Sequence, residues 1–245
     1  MAKKLKTQGS VLVTGAAKRI GKAICLFLSL RGFNIALHYH RSSSEAKTLS
    51  EEIRNNRVQC ELFCCDLADT KQTNELVSSV HKRFSDLNVL INNASIFEPA
   101  TIKGASLNLL RHHFAVNFDA PFILTSQFAQ KCRKGQIINI LDTHVAHNTT
   151  QHATYLLSKK ALGNLTKLSA VEFAPHIRVN AVAPGLILPP EQKNLDYIER
   201  LSKKIPLKKK GDVDQIAHAI YFLLSNPYIT GETIFVDGGQ HLIQK

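Results

Sequence analysis

Apolar residues recur along the chain in two alternating patterns: short continuous runs, and longer stretches in which they return every three or four positions. The first run covers positions 10–14, helical spacing follows at 20–30, and a second run covers 33–38. Short apolar runs are typical of strands buried in a parallel sheet, and the longer spacing is typical of amphipathic helices. The opening of the chain is therefore predicted to form a β-α-β unit.

The same alternation continues to the end of the chain. Further strands are predicted at 58–64, 89–91, 137–141, 178–183 and 233–236, and further helices at 45–55, 73–84, 155 to about 173, and 213–224. Strands that alternate with helices imply one doubly wound parallel sheet of the α/β class. No linker rich in Pro, Gly or Ser divides the chain, so a single domain spanning residues 1–245 is expected.

Composition narrows the class of protein. Hydrophobic residues make up 44% and charged residues 20%, which is ordinary for a globular protein. The five cysteines are an odd number without a Cys-x-x-Cys pair, so reduced thiols are expected. The sequence shows neither a signal peptide nor an apolar run of membrane-spanning length, and a soluble cytoplasmic protein without a membrane partner is predicted.

The net charge of +12 raises the question of a polyanionic partner. The lysines are dispersed, and no basic stripe interleaved with aromatic residues is present. Nucleic-acid binding is therefore not predicted. The role of the excess basic charge stays open.

The turn after the first strand is suited to phosphate. Positions 14–21 read Thr-Gly-Ala-Ala-Lys-Arg-Ile-Gly and precede a helix, where free N–H groups and the helix dipole favour phosphate oxygens. Arg19 stands where a Gly-x-x-x-Gly-x-Gly loop has its middle glycine, and arginine does not allow the same close backbone approach. A dinucleotide is predicted to bind at this turn.

The end of the second strand indicates which dinucleotide. NAD-binding units usually place Asp or Glu there, whereas positions 38–42 read His-Tyr-His-Arg-Ser. Arg41, with Ser42 and His40, can bind a 2'-phosphate through charge-assisted hydrogen bonds, so the predicted cofactor is NADPH. The alternative is that Arg41 only begins a solvated loop.

Tyr155 and Lys159 lie four positions apart at the start of a predicted helix, so their side chains share one face. A lysine ammonium near a phenol stabilises the phenolate and lowers the tyrosine pKa from about 10, which would make a proton donor usable near neutrality. The alternative for this pair alone is a solvated lysine beside a half-buried tyrosine.

Several motifs in order resemble the short-chain dehydrogenase/reductase family over essentially the whole chain. They are Thr14-Gly15-x-x-x-Arg19-x-Gly21, Asp66-Leu67, Asn92-Asn93-Ala94, Asn117, Tyr155-x-x-Ser158-Lys159, Ile177-Arg178-Val179-Asn180 and Pro184-Gly185. The resemblance implies a Rossmann-type domain, a nicotinamide cofactor and usually a homotetramer. It implies that Tyr155 is the acid/base, that Lys159 binds the nicotinamide ribose, and that Asn117 anchors a proton-relay water.

The motifs also give the expected cofactor contacts. These are Gly15, Arg19, Ile20, Gly21, His40, Arg41, Ser42, Asp66, Leu67, Asn93, Ala94, Tyr155, Lys159, Pro184 and Gly185.

One departure from the family pattern matters most. The family usually has serine thirteen positions before the tyrosine, where this chain has Asp142. A carboxylate only accepts hydrogen bonds and opposes negative charge growing on a substrate oxygen, at about 4 kcal/mol for two charges about 4 Å apart at an effective dielectric of about 20. Ordinary ketone reduction is therefore disfavoured, and Asp142 suits a substrate that offers N–H donors and takes a proton on nitrogen.

Pteridine reductases are the subgroup that the chain resembles. They share the turn at 14–19, the strand end at 38–42, the Asn-Asn-Ala-Ser-x-Phe segment at 92–97, and aspartate at the serine position. The resemblance implies that Phe97 stacks a pterin on the nicotinamide and that Arg19, Ser95, Asp142 and Tyr155 contact its polar edge. Bacterial dihydromonapterin reductases and dihydrofolate-reducing enzymes share these features, and the three remain open.

Two reduction schemes are compatible with these residues. In one, hydride reaches C6 of a 7,8-dihydropterin while a proton from Tyr155 reaches N5. In the other, an oxidised pterin is reduced at C7 and N8, with Asp142 and Tyr155 sharing the proton transfer. Asp142 raises the pKa of Tyr155 while Lys159 lowers it, so coupled titration is expected.

Two rival functions are kept. One is a conventional carbonyl reductase for ketones, quinones or acyl thioesters, with Thr143 in place of the lost serine; the other is a catalytically idle NADPH-binding sensor. Phe97 could alternatively pack in the core. His144, His147 and His152 lack a recognisable metal spacing, so loop or substrate contacts and no metal are predicted. Positions 186–206 are predicted to be a substrate lid.

Overall fold

A computed structural model describes residues 7–189 and 195–243. Seven parallel strands form one sheet in the order β3-β2-β1-β4-β5-β6-β7. They are β1 Ser10–Val13, β2 Asn34–Tyr39, β3 Cys60–Cys64, β4 Leu87–Asn92, β5 Gly135–Ile140, β6 Ile177–Pro184 and β7 Thr233–Val236. The predicted doubly wound Rossmann-type sheet is confirmed.

Helices cover both faces of the sheet. They are α1 Arg19–Ser29, α2 Ser43–Arg54, α3 Thr70–Arg83, α4 Leu107–Phe114, α5 Ala120–Lys131, α6 Ala153–Glu172, α7 Leu195–Ser202 and α8 Val213–Ser225. A π-helix, Ala115–Asp119, joins α4 to α5, and short 3₁₀-helices lie at Thr143–Ala146 and Gln240–Leu242.

The strands alternate their side chains between two apolar layers. Val11 and Val13 pack in the layer that contains residues of α1 and α8, whereas Leu12 faces the layer that contains residues of α3 and α5. This alternation is the period of two that a strand imposes. Because all strands are parallel, their carboxyl ends lie along one edge of the sheet, where ligands of such folds bind.

The helical stretch between β4 and β5 is absent from the sequence-based prediction. In α5 the buried positions include Leu124 and Phe128, but Phe122 on the other side is 52% exposed and equally apolar. With apolar residues on both sides, the helix lacks the polar stripe that reveals helical spacing. Helix α7 was likewise missed within the predicted lid, and positions 190–194 of that lid lie outside the described residues.

Two further observations, on membrane-spanning helices and on the cysteines, concern residues 7–189 and 195–243. No helix there is long and apolar enough to cross a membrane. The cysteines are unpaired, as predicted, and all except Cys64 are buried. Burial raises the pKa of the Cys60 thiol to about 12, so this thiol is not reactive near neutrality.

Candidate active site

The turn between β1 and α1 has room only for glycine at two points. A Cβ on Gly15, whose φ is +60°, would lie 2.9 Å from the Ala94 Cα. A Cβ on Gly21 would lie 2.3 Å from the Gly15 carbonyl oxygen. Both distances are shorter than those of real Cβ atoms, so glycine is required for the main chain to pack this closely against its own neighbours.

Arg19 adopts a left-handed backbone conformation, which glycine occupies more readily than other residues. Its φ is +54°, in the left-handed region, which costs a non-glycine residue about 1–2 kcal/mol. The guanidinium Nη2 donates to the Pro189 carbonyl oxygen at 2.8 Å, so the side chain reaches across to the segment after β6.

His38 is hydrogen-bonded to this turn, a role that the sequence did not predict. The Gly15 N–H donates to the His38 Nδ1 at 3.0 Å, and Nε2 lies 3.0 Å from the Cys65 carbonyl oxygen. These partners require the neutral tautomer with hydrogen on Nε2. Burial is the main reason that the pKa of His38 falls to about 4. A histidine inside an otherwise apolar strand was the available signal.

The neutral state of His38 predicts sensitivity to acid. Its folded pKa lies below its unfolded value, so stability is fully present above pH 6.5 and declines as the pH falls from 6.5 to about 4. The loss from this residue is about 3 kcal/mol. We expect urea unfolding across that window to show the decline.

His38→Gln is the matched variant, because an amide can accept from Gly15 and donate to Cys65 without titrating. Its stability should change less between pH 6.5 and 4 than that of the wild type. The buried carboxyl groups Asp142 and Asp237 have pKa values lowered from 3.8, so their own losses begin below this window. Equal slopes for both proteins would contradict this assignment.

The end of β4 is bonded to the same turn. The Asn93 Nδ2 donates to the Thr14 and Gly15 carbonyl oxygens at 2.8 and 3.0 Å. The Thr14 hydroxyl oxygen accepts from the Asn93 and Ala94 N–H groups at 2.9 and 3.0 Å. Asn93 and Ala94 therefore shape the predicted cofactor site through the turn.

The predicted 2'-phosphate residues lie at the carboxyl end of β2. Arg41 is exposed, and the His40 Nδ1 lies 3.7 Å from the Asp66 Oδ1. Leu67 is buried, so only its backbone can face a ligand. At the end of β6, Pro184 precedes Gly185, where a Cβ would lie 2.5 Å from the Asp237 Cβ. The edge of the sheet thus brings the predicted cofactor residues together.

Tyr155 and Asp142 are joined directly at the predicted catalytic centre. The Tyr155 hydroxyl donates to the Asp142 Oδ2 at 3.0 Å. The other carboxylate oxygen, Oδ1, accepts from the His144 main-chain N–H at 2.8 Å and lies 2.6 Å from its Nδ1. The sequence predicts only a loop or substrate contact for His144, whereas in the structure His144 is hydrogen-bonded to the Asp142 carboxylate.

Lys159 is buried on the other side of the tyrosine. Its Nζ donates to the Ile140 carbonyl oxygen at 2.8 Å and lies 5.9 Å from the centre of the Tyr155 ring. Burial is the first cause that lowers the pKa of Lys159, to about 8, and the Asp142 carboxylate opposes this shift.

The predicted lowering of the Tyr155 pKa is wrong for this structure. Burial and then the Asp142 carboxylate raise the pKa of Tyr155 well above 10. The carboxylate is in hydrogen-bond contact with the phenol, whereas the lysine ammonium is held by a main-chain carbonyl. Desolvation and the nearest charge decide the direction of such a shift.

Asp142 itself remains ionised. Burial favours the neutral acid, but the hydrogen bonds and the charge of His144, with the Tyr155 hydroxyl, outweigh it and keep the Asp142 pKa below 3.8. An ionised carboxylate at this position can accept hydrogen bonds but cannot donate one.

Asn117 lies in the π-helix, and its amide is fully used. Its Oδ1 accepts from the Ser95 hydroxyl and the Ile96 N–H, while Nδ2 donates to the Ile96 carbonyl and the Ser158 hydroxyl, all within 2.9–3.1 Å. An amide offers two donors and two acceptor lone pairs, so this side chain has no capacity left for a relay water. Asn117 instead positions Ser95, and only its main chain could anchor water.

Phe97 lies beside Tyr155 rather than in the core, since it is 48% exposed. Its ring stacks on His152 with centroids 4.3 Å apart and meets Tyr155 edge-on at 4.7 Å.

Buried nitrogens of His147 and His152 have no hydrogen-bond partner among the described residues. Within the same residues, no group of His, Cys, Asp and Glu is arranged to hold a metal ion.

The Thr143 side chain is bonded to Asp237 rather than to Tyr155. Its hydroxyl donates to the Asp237 Oδ2 at 2.5 Å, and Asp237 also accepts from the His241 N–H at 2.7 Å. Thr143 is only 2% exposed. The alternative in which Thr143 replaces the missing serine is therefore not compatible with this geometry.

Comparisons with known proteins agree with the fold. The family model described as Enoyl-(Acyl carrier protein) reductase matches residues 15–241. A 3-oxoacyl-[acyl-carrier-protein] reductase, FabG, of Staphylococcus epidermidis is 33% identical and covers 95% of this chain and 99% of its own. Pteridine reductase 1 of Leishmania tarentolae is 31% identical, over 94% of this chain and 96% of its own.

Two solved structures are also similar. FolM alternative dihydrofolate reductase 1 of Brucella canis, complexed with NADP, has a TM-score of 0.91 and 35% identity over 97% of this chain and 96% of that chain. The same enzyme of Brucella suis, also with NADP, has a TM-score of 0.93 and 35% identity over 97% of both chains.

Proposed function

The chain belongs to the short-chain dehydrogenase/reductase family, and on that basis we propose that it is an NADPH-dependent reductase of pterins or folates. The observation that carries the proposal is the carboxylate of Asp142 in hydrogen-bond contact with the Tyr155 hydroxyl. A pterin offers N–H donors to such a carboxylate and takes a proton on nitrogen, whereas a ketone has only an oxygen acceptor.

The residues present fit the cofactor. The first turn of α1, which begins at Arg19, can offer main-chain N–H groups to a phosphate, and Arg41 offers a cation for a 2'-phosphate. NADPH would supply hydride when bound. The Brucella structures that resemble this chain contain NADP, which supports the same choice.

The chain's own residues would divide the remaining work. Tyr155 would give a proton to the substrate nitrogen, and Lys159 would bind the nicotinamide ribose. Phe97, half exposed beside Tyr155, would stack on the flat pterin ring. Arg19, Ser95 and Asp142 would contact the polar edge of the pterin.

The relatives support two substrate classes. The pteridine reductase and the dihydrofolate reductases favour a pterin or a folate, whereas the 3-oxoacyl reductase favours an acyl thioester. The orientation of Thr143 toward Asp237 leaves the second chemistry without a hydroxyl donor at the serine position. Pterin reduction is therefore the function that the geometry supports best.

The test compares substrates in one assay of NADPH oxidation. Dihydrobiopterin, dihydromonapterin and dihydrofolate are compared with simple ketones and an acetoacetyl thioester. Turnover confined to pterins and folates is expected, and their relative kcat/KM values would rank the three. Turnover of ketones or thioesters alone would refute the proposal.

Asp142→Ser should separate the two chemistries. Because serine restores a donor and removes the carboxylate, kcat/KM with pterins should fall by about tenfold or more, while ketone reduction should appear or rise. Both rates are measured in the same NADPH assay. Unchanged pterin turnover would show that Asp142 does not recognise the substrate.

The proposed assembly is a homotetramer. Helix α6 leaves Leu157, Leu168 and Val171 at 49–81% exposure, and Phe122 of α5 is 52% exposed. Large exposed apolar side chains on paired helices favour burial against a second copy. Sedimentation analysis of the purified protein would give the subunit number.

A further inference from the structure

His144 connects the buried catalytic tyrosine to the surface. The Tyr155 hydroxyl donates to the Asp142 Oδ2 at 3.0 Å, and the Asp142 Oδ1 lies 2.6 Å from the His144 Nδ1. Exposure increases along this series, from 6% for Tyr155 to 22% for the Asp142 side chain and 45% for the His144 side chain. The three groups form a continuous hydrogen-bonded path.

Tyr155 needs such a path after it has given up its proton. A phenolate would then lie beside the Asp142 carboxylate in a buried site, and two adjacent negative charges there are strongly unfavourable. Within the part of the chain that the structure describes, Asp142 is the hydrogen-bond partner of the phenol oxygen. The Lys159 ammonium lies on the other side of the tyrosine, with its Nζ 5.9 Å from the ring centre and bonded to the Ile140 carbonyl oxygen.

We propose that His144, acting through Asp142, supplies the proton that replaces the one Tyr155 gives to the substrate. The inference rests on the proposed function only in taking Tyr155 as the proton donor of a reduction. His144 is accordingly a positioning residue, since it reaches the reacting atoms through Asp142.

Each bond that breaks in this proton transfer is matched by a bond that forms. The Tyr155 O–H bond breaks and a substrate N–H bond forms, while hydride is accepted at the neighbouring carbon. The His144 Nδ1–H bond then breaks as the proton passes to the Asp142 carboxylate. The Asp142 carboxyl group rotates so that its O–H points at the phenolate oxygen. The proton then leaves Asp142, and the Tyr155 O–H bond re-forms. His144 is left neutral and takes a new proton from solvent.

The charges around His144 suit this role. Asp142 faces it directly, and Tyr155 and Lys159 lie behind Asp142. His152 is close enough that His144 contributes to lowering the His152 pKa, after burial, which is the main cause. His147 follows in the same segment, and its main-chain N–H donates to the His144 carbonyl at 3.0 Å. A proton on His144 is thus paired with the Asp142 carboxylate.

The kinetic test compares His144→Gln with His144→Ala. Glutamine can still donate a hydrogen bond to Asp142 but carries no titratable proton. We expect kcat to fall by about tenfold or more in both variants, with the Kd for NADPH unchanged. The kcat of both variants should vary less with pH than that of the wild type, because the imidazole proton is gone while Tyr155 and Lys159 still titrate. Added imidazole should restore kcat in His144→Ala.

Two outcomes would overturn the inference. Wild-type kcat and an unchanged pH profile in His144→Gln would show a purely structural hydrogen bond. An equal fall in the matched control His147→Gln, which changes a histidine of the same segment, would show a general disturbance of that segment.

A substrate-free readout separates this inference from the proposed function. In ¹⁵N-labelled protein, a strongly downfield imidazole N–H signal is expected from His144, and it should disappear in His144→Gln and move in Asp142→Asn. If the signal behaves in this way but only ketones are reduced, the proposed substrate fails while the path stands. If pterins are reduced but the signal is absent, the path fails.

Discussion

Tyr155→Phe should lower kcat for pterin reduction by about 100- to 10,000-fold, because general acid catalysis contributes rate factors of this size. The hydroxyl is the atom that donates to Asp142, and the phenol ring is 6% exposed, so phenylalanine fills the same space. The edge-on contact with Phe97 is kept. The rate is measured as loss of NADPH absorbance at saturating substrate.

The Kd for NADPH serves as the control for this variant. It should change far less than kcat, since the variant keeps the ring that packs edge-on against Phe97 and loses only the hydroxyl. A parallel loss of NADPH binding would show that the substitution disrupts the site as a whole. A kcat close to that of the wild type would show that the proton reaches the substrate from another group.

Arg41→Asp should reverse the choice between the two nicotinamide dinucleotides. The arginine is exposed at the end of β2, where an added carboxylate would repel a 2'-phosphate. Charge-assisted hydrogen bonds contribute about 1.5–3 kcal/mol, which corresponds to a rise of about 10- to 150-fold in the KM for NADPH. The KM values for NADPH and NADH are measured with the same substrate.

Arg57→Asp is the matched control, because this arginine is also exposed but follows α2 on the opposite side from the turn. It makes the same change in net charge and should leave both KM values as they are. Increased KM values for NADPH and NADH alike in Arg41→Asp would point to a damaged turn. An unchanged KM for NADPH would mean that Arg41 only begins a solvated loop.

The two variants address different parts of one site. Tyr155→Phe removes a proton at the substrate end, and Arg41→Asp changes charge at the far end of the cofactor. Their effects on kcat and KM should therefore add in the double variant, since distant sites without shared partners are usually independent. Strong non-additivity would indicate coupling through the turn at Gly15.

The alternation of strands and helices was readable from the sequence because strands buried on both faces give short continuous apolar runs, whereas half-buried helices give a period of about 3.6 residues. The pair of Tyr155 and Lys159, and the exchange of serine for Asp142, could be found by spacing alone. Helix α5 could not, because apolar residues occupy both of its sides and conceal its period.

Tertiary structure alone decided what these residues do to one another. The direction in which the Tyr155 pKa shifts depends on which charge lies nearest to the hydroxyl. The structure places Asp142 against that hydroxyl, whereas Lys159 donates to a main-chain carbonyl oxygen. The hydrogen bond from the Thr143 hydroxyl to Asp237 joins positions that are 94 residues apart in the chain. Local spacing determines which elements form, whereas distances through space, burial and competing hydrogen-bond partners determine the chemistry of the side chains they carry.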